Sequence, residues 1–97
     1  MYYTYVLWDA QGKRFYIGYT ENIRRRIAEH LSGKNHTTLR YESYHLIFYE
    51  AFISKDDAVR REKYFKTTKG RTALRLMLRN SLTGSVTVAQ QTLDLLV

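Results

Sequence analysis

The sequence predicts an α/β fold of the α+β kind, a single small domain with a three-stranded sheet flanked by helices. Three observations carry that prediction. Two β-branched and aromatic runs, at 2–8 and 14–19, flank a short segment of turn residues, the pattern of a hairpin. A further apolar run at 45–52 has the length of a third strand. Around it, apolar residues recur at helical spacing behind residues that cap helices. The element order is therefore strand, strand, helix, strand, helix, helix.

Each element has its own signal. Asp9-Ala10-Gln11-Gly12-Lys13 carries turn chemistry, so 14–19 reads as the return strand. Thr20 is placed to cap the first helix, with Glu21 in its first turn favoured by the dipole. Ile23, Ile27 and Leu31 form its buried stripe, and Ser32-Gly33 ends it, the glycine suiting a left-handed cap. Residues 34–44 are polar and loop-like. The nearly continuous apolar run at 45–52 predicts that the third strand is the central one. Ser54-Lys55-Asp56-Asp57 has capping-box spacing and opens a second helix reaching Thr67. Gly70 is expected to break the pattern before a third, basic helix over 72–82. The domain thus spans 1–82, with 83–97 a tail of unknown role. Val86-Thr87-Val88 suggests extended chain there, and 93–97 an apolar end that docks.

Composition narrows the class. At 97 residues the chain has room for one core. Hydrophobic residues make up 44%, enough to argue against disorder. No apolar run approaches the roughly 18 residues of a membrane span, and Met1 to Tyr5 lack the features of a signal peptide. With no cysteine there is neither a disulfide framework nor a Cys-ligated zinc site, and a cytoplasmic setting is expected. Sixteen basic against nine acidic residues give a net charge of +7, which favours a polyanionic partner. The charge is uneven: between Arg60 and Arg79 stand eight basic residues and one acid, Glu62.

Several charged residues border the apolar stripes. Counting from Ile23 at about 100° per residue, Arg26 falls at about 300° and His30 at about 340°. Both flank the buried face, whereas Arg24 and Arg25 lie farther round. Arg26 is either a border arginine whose stem covers apolar surface or a charge held for chemistry. His30 is either a border histidine satisfied by a neighbour or a functional imidazole. Glu62 shares a face with Ala58 and Phe65, and a carboxylate there is costly unless compensated. The compensation is a nearby Lys or Arg, or a divalent metal, since Mg²⁺ accepts one or two carboxylates with phosphate and water. Asn80 lies beside the apolar face of the third helix and suits a helix-terminal asparagine bonding the last carbonyls. Of nine tyrosines, Tyr2, Tyr3, Tyr41, Tyr44 and Tyr49 need no role beyond strand packing.

The motifs together resemble the GIY-YIG nuclease family, in its small stand-alone bacterial form related to the nuclease domain of the excision-repair C subunit. Tyr3-Thr4-Tyr5 stands where the family has Gly-Ile-Tyr, and Tyr16-Ile17-Gly18 matches its second half. Residues 19–26 followed by Glu29-His30 resemble the helix bearing the family's arginine, which places Arg26 there. Ser54 to Ala58 leading to Arg61-Glu62-Lys63 resembles the segment with the metal-binding glutamate. Lys69-Gly70-Arg71 through Arg79-Asn80 is similar to the end of small members. The chain departs from the pattern in lacking the first glycine and the proline before the third strand, where Tyr44-His45 stands.

The resemblance implies a three-stranded antiparallel sheet and phosphodiester hydrolysis with Mg²⁺ or Mn²⁺. It assigns catalytic roles to Tyr5, Tyr16, Arg26, His30 and Glu62, with Glu62 the metal ligand. Tyr16 would be general base towards water, its proton, of ordinary pKa about 10, being lost or passed on. Arg26 would stabilise charge on the phosphoryl oxygens, while Tyr5 and His30 would orient water and phosphate or relay protons. Gly18, Arg25, Lys63, Lys66, Lys69, Arg71 and Asn80 would contact nucleic acid, DNA more than RNA. All are expected to meet on one concave basic surface. With little room for a recognition element, specificity would come from structure in the nucleic acid or from a partner protein. A DNA-repair setting accompanies the resemblance. The competing expectations are a nucleic-acid-binding module without cleavage and an interaction domain for an acidic protein.

Overall fold

A computed structural model describes residues 1–31 and 44–83. The predicted end of the first helix at Ser32-Gly33, most of the loop and the tail from 84 on lie outside the described residues, as does the Leu31 side chain. Strands β1 (Tyr2–Asp9), β2 (Arg14–Thr20) and β3 (Tyr44–Phe52) form one antiparallel sheet in the order β2-β1-β3. The helices are α1 (Ile23–Leu31), α2 (Lys55–Phe65), α3 (Thr68–Met77) and the short α4 (Arg79–Leu82).

The sheet corrects the expected strand order. β1, not β3, is central. Thr4, Tyr5, Val6 and Leu7 are buried in succession, the mark of a strand covered on both faces. β3 is apolar in composition, yet Tyr49 and Ala51 are exposed; it is an edge whose aromatic residues are only partly covered. Tyr44, expected in the loop, opens this strand and is buried.

Local chemistry explains the connections. The buried Asp9 carboxylate accepts from the backbone N–H groups of Gln11 and Gly12, both at 3.0 Å, and pairs with Arg14 at 3.3 Å. This Asx-type turn lets Lys13 take a positive φ of 53°. At the start of α1 the cap is Asn22 rather than Thr20: Asn22 Oδ1 accepts from the Arg25 N–H at 3.0 Å. Thr20 Oγ1 instead accepts from the Asn22 N–H at 3.1 Å, and Glu21 precedes the helix. Ser54 stands at the N-cap of α2, but its side chain makes no capping bond, and the Asp57 carboxylate pairs with Arg60 at 2.9 Å.

The α2–α3 corner also differs from expectation. α2 ends at Phe65, and α3 begins at Thr68, ahead of Gly70. Thr67 makes the corner by donating to the Tyr64 carbonyl at 2.6 Å and accepting from the Gly70 N–H at 3.0 Å. Gly70 is a buried helical residue whose role is close approach: a Cβ there would collide with the Tyr64 carbonyl.

The core has two parts. Tyr5, Leu7, Ile23, Ile27, Tyr44 and Leu46 pack α1 against the sheet. Val6, Ile17, Phe65, Leu74 and Leu78 pack the α2–α3 pair against it. Alternation along β1 sends Tyr5 and Val6 into different clusters, so α1 and the α2–α3 layer cover opposite faces.

Candidate active site

The tyrosines of β1 and β2 enter the α1 cluster because of one missing side chain. Tyr5 pairs with Gly18 across the β1–β2 ladder. The Tyr5 ring lies directly over that glycine, where any Cβ would meet it. Gly18 therefore serves close approach of a tyrosine.

The Tyr5 hydroxyl is the hub. It lies 3.1 Å from His30 Nε2 and accepts from Arg26 Nε at 3.2 Å. Desolvation pushes its pKa up to about 12, against the opposing hydrogen bond from Arg26, while the charge of Glu62 raises it further. Tyr5 is thus a protonated phenol. The guanidinium can only donate, and the direction of the Tyr5–His30 bond is set by the imidazole tautomer. Burial, then the neighbouring Arg26 charge, hold the His30 pKa down to about 4. His30 is a neutral imidazole, 1% exposed and bonded to Tyr5.

Arg26 is fixed from several sides. Its Nε donates to Tyr5 and its Nη1 pairs with Glu29 at 3.3 Å; these bonds hold the guanidinium charged against burial. About one third of its side chain remains exposed. Tyr16 stands edge-on to His30, with ring centres 5.0 Å apart, and lies 6.4 Å from both Tyr5 and Tyr44. Tyr16 is only partly buried, unlike Tyr5. It is the accessible phenol of the pair.

Glu62 departs from the expected single surface. It sits on α2, in the layer that packs on the other face of the sheet from Tyr16, with its side chain 20% exposed. Lys66 Nζ binds its Oε2 at 2.9 Å, which is the expected basic partner. Its charge nevertheless reaches the Tyr5 hydroxyl. Among the described residues no group of three or more His, Asp or Glu could hold a metal. A half-buried lone carboxylate does suit Mg²⁺, which keeps several waters and takes further oxygens from phosphate.

The predicted nucleic-acid contacts divide among the elements. Arg25 and Arg26 line an open depression of about 510 Å³ with Tyr19, Thr20, Glu21, Asn22 and Glu29. Lys63 on α2, Lys66 at its C-cap, and Lys69 and Arg71 on α3 are exposed. Asn80 is exposed on α4, and the carbonyls at that end are bonded by Arg79 and Thr83 instead. Sequence reasoning missed three residues that shape the site. Asn22 anchors the helix start, Glu29 holds Arg26, and Tyr44 walls Tyr16. The i, i+3 spacing of Arg26 and Glu29 was the available signal for one of them.

This α+β fold, with its Tyr-Tyr-Arg-His array, defines a class. The family model of the GIY-YIG catalytic domain matches residues 1–75, and the chain belongs to the GIY-YIG family. A UPF0213 protein of Pediococcus acidilactici is 33% identical over 84 residues, covering 84% of this chain and 85% of the relative. A UPF0213 protein of Streptococcus pyogenes serotype M5 is 40% identical over 70 residues, 71% of this chain and 75% of the relative. No solved structure matches the chain. The family supports a nuclease-type function. No helix among the described residues is long and apolar enough to cross a membrane.

The His30 environment sets a pH dependence. Its folded pKa, about 4, lies below the ordinary 6.5, so the unfolded chain protonates first as pH falls. The stabilisation is complete above about pH 6.5 and is lost between there and about pH 4. The single-site loss by pH 5 is about 2 kcal/mol. Chemical denaturation at pH 7, 6 and 5 should show that decline, and His30→Gln should flatten it. An equal decline in the variant would remove His30 as its cause.

Proposed function

We propose that the chain is a cytoplasmic, metal-dependent endonuclease that hydrolyses phosphodiester bonds in DNA. The observation that carries this reading is the contiguous array of Tyr16, His30, Tyr5 and Arg26, opening beside the depression lined by Arg25 and Arg26. Tyr16 is the group that takes a proton from water, since its ring is partly exposed and Arg26 stands ready to stabilise the phenolate oxygen. The exposed part of Arg26 donates to the phosphoryl oxygens as charge develops. Tyr5 and His30 act through Arg26 and Tyr16: the buried Tyr5 hydroxyl fixes the guanidinium, and His30 fixes Tyr5. Glu62 is the residue that would hold Mg²⁺ or Mn²⁺, whose chemistry is Lewis-acid stabilisation of the leaving oxygen. Lys63, Lys69, Arg71 and Asn80 are placed to meet backbone phosphates. A partner protein supplying specificity and a role in DNA repair complete the reading.

One observation favours a second reading, a nucleic-acid-binding module: the Glu62 carboxylate is already paired with Lys66. Plasmid and branched or single-stranded substrates, incubated with Mg²⁺, Mn²⁺ or EDTA, decide between the two. Cutting should need the metal and should fall by about 10² or more in both Tyr16→Phe and Glu62→Ala, with binding retained. A wild-type protein that binds every substrate and cuts none is a binding module.

A further inference from the structure

The Glu62–Lys66 pair does more than support a helix. An i, i+4 ion pair on a helix surface contributes only a few tenths of a kcal/mol, and with Glu N-terminal to Lys this one has the favourable orientation. Its two ends differ in environment. The carboxylate is mostly covered and sits close enough to the Tyr5 hydroxyl to influence it. The lysine side chain is half exposed and lies on the basic layer that also carries Lys63 and Lys69. Without Lys66 the carboxylate would lose this ion pair, while Lys66 has solvent, or any nearby phosphate, as an alternative.

We propose that Lys66 is a substrate-responsive gate on Glu62: it neutralises the carboxylate in the free protein and moves to a backbone phosphate when nucleic acid binds, exposing Glu62 to a divalent cation. This rests on the reading of Glu62 as the metal ligand. A flexible lysine suits the task, because its ammonium is a point charge on a four-carbon stem and exchanges one anionic partner for another without the planar match an arginine needs. The consequence is coupling. Nucleic acid raises metal affinity and metal raises nucleic-acid affinity by the same factor, so the free protein holds the ion weakly.

The test is Mn²⁺ binding to the full chain, followed by titration of free Mn²⁺ with electron paramagnetic resonance, with and without a short DNA duplex. Wild type is compared with Lys66→Gln and Glu62→Gln, far-UV circular dichroism confirming the fold of each. Without DNA, Lys66→Gln should bind Mn²⁺ about two- to fivefold more tightly than wild type, the worth of a partly exposed ion pair. Its gain on adding DNA should shrink by a similar factor, and Glu62→Gln should bind weakly in both conditions. If Glu62→Gln loses Mn²⁺ binding while Lys66→Gln matches wild type, the gate is wrong and the metal reading stands. If Glu62→Gln binds as wild type does, or no variant binds Mn²⁺, the metal reading fails and the gate falls with it. A Lys66→Gln that only lowers the melting temperature identifies a structural pair and also overturns the gate.

Discussion

Arg26→Ala should leave a folded protein whose single-turnover cleavage is slower by about 10²- to 10³-fold, the usual cost of removing one preorganised donor at a developing charge. Arg26 holds two groups together, Tyr5 through Nε and Glu29 through Nη1. Its removal therefore releases the Tyr5 hydroxyl as well as deleting the positive charge. Stability should change far less. Tyr5 keeps its bond to His30, so the loss is that of one or two part-buried hydrogen bonds, about 1–2 kcal/mol. Arg26→Lys should recover little activity, because an ammonium cannot hold Tyr5 while also presenting a planar pair of donors to phosphate. The readout is the cleavage rate beside the melting temperature. Cleavage within a few-fold of wild type would leave Arg26 a packing residue and move the phosphate-binding charge elsewhere, Arg25 being the nearest alternative on the same depression.

What the sequence disclosed and what it hid follow from the range of the interactions. The strands, the α1 stripe through Ile23 and Ile27, and the positions of Arg26 and His30 at its border were legible because periodicity along one element fixes them. The contact between His30 and Tyr5 was not, since it spans 25 residues and depends on Gly18 leaving room for a ring from the neighbouring strand. Strand order was misread because apolar content does not tell a central strand from an edge strand carrying half-covered aromatics. β1 declared its place only through burial on both faces. At Thr20 the capping residue was present, but Asn22 took the bond, while Ser54 stands at the N-cap of α2 without a side-chain bond. Local propensity proposed both caps, and at Thr20 a nearby competitor decided the outcome. Glu62 shows the same limit at the site: spacing gave its face, while its Lys66 partner and its reach to Tyr5 required the folded chain.

Gly70 provides the sharpest contrast between propensity and packing. In the interior of an exposed helix Gly→Ala stabilises by about 1 kcal/mol, through backbone entropy. Gly70 is helical, so propensity alone predicts that Gly70→Ala strengthens the protein. The structure predicts the opposite sign. The added methyl would collide with the Tyr64 carbonyl and crowd Phe65 Cα, both backbone atoms that cannot rotate away. α2 and α3 would have to separate, breaking the Thr67 corner that bonds the Tyr64 carbonyl and the Gly70 N–H. They would also pull apart Phe65 and Leu74, both fully buried. Overpacking of this kind costs about 1–3 kcal/mol and at times more, which exceeds the propensity gain. In a domain whose total stability is of order 5 kcal/mol, Gly70→Ala should therefore lower the urea midpoint markedly. Gly70→Ser should do the same, which separates steric collision from any effect of apolar surface. A Gly70→Ala protein as stable as wild type would mean that the α2–α3 corner gives way cheaply, and that the glycine is there for some reason other than close approach.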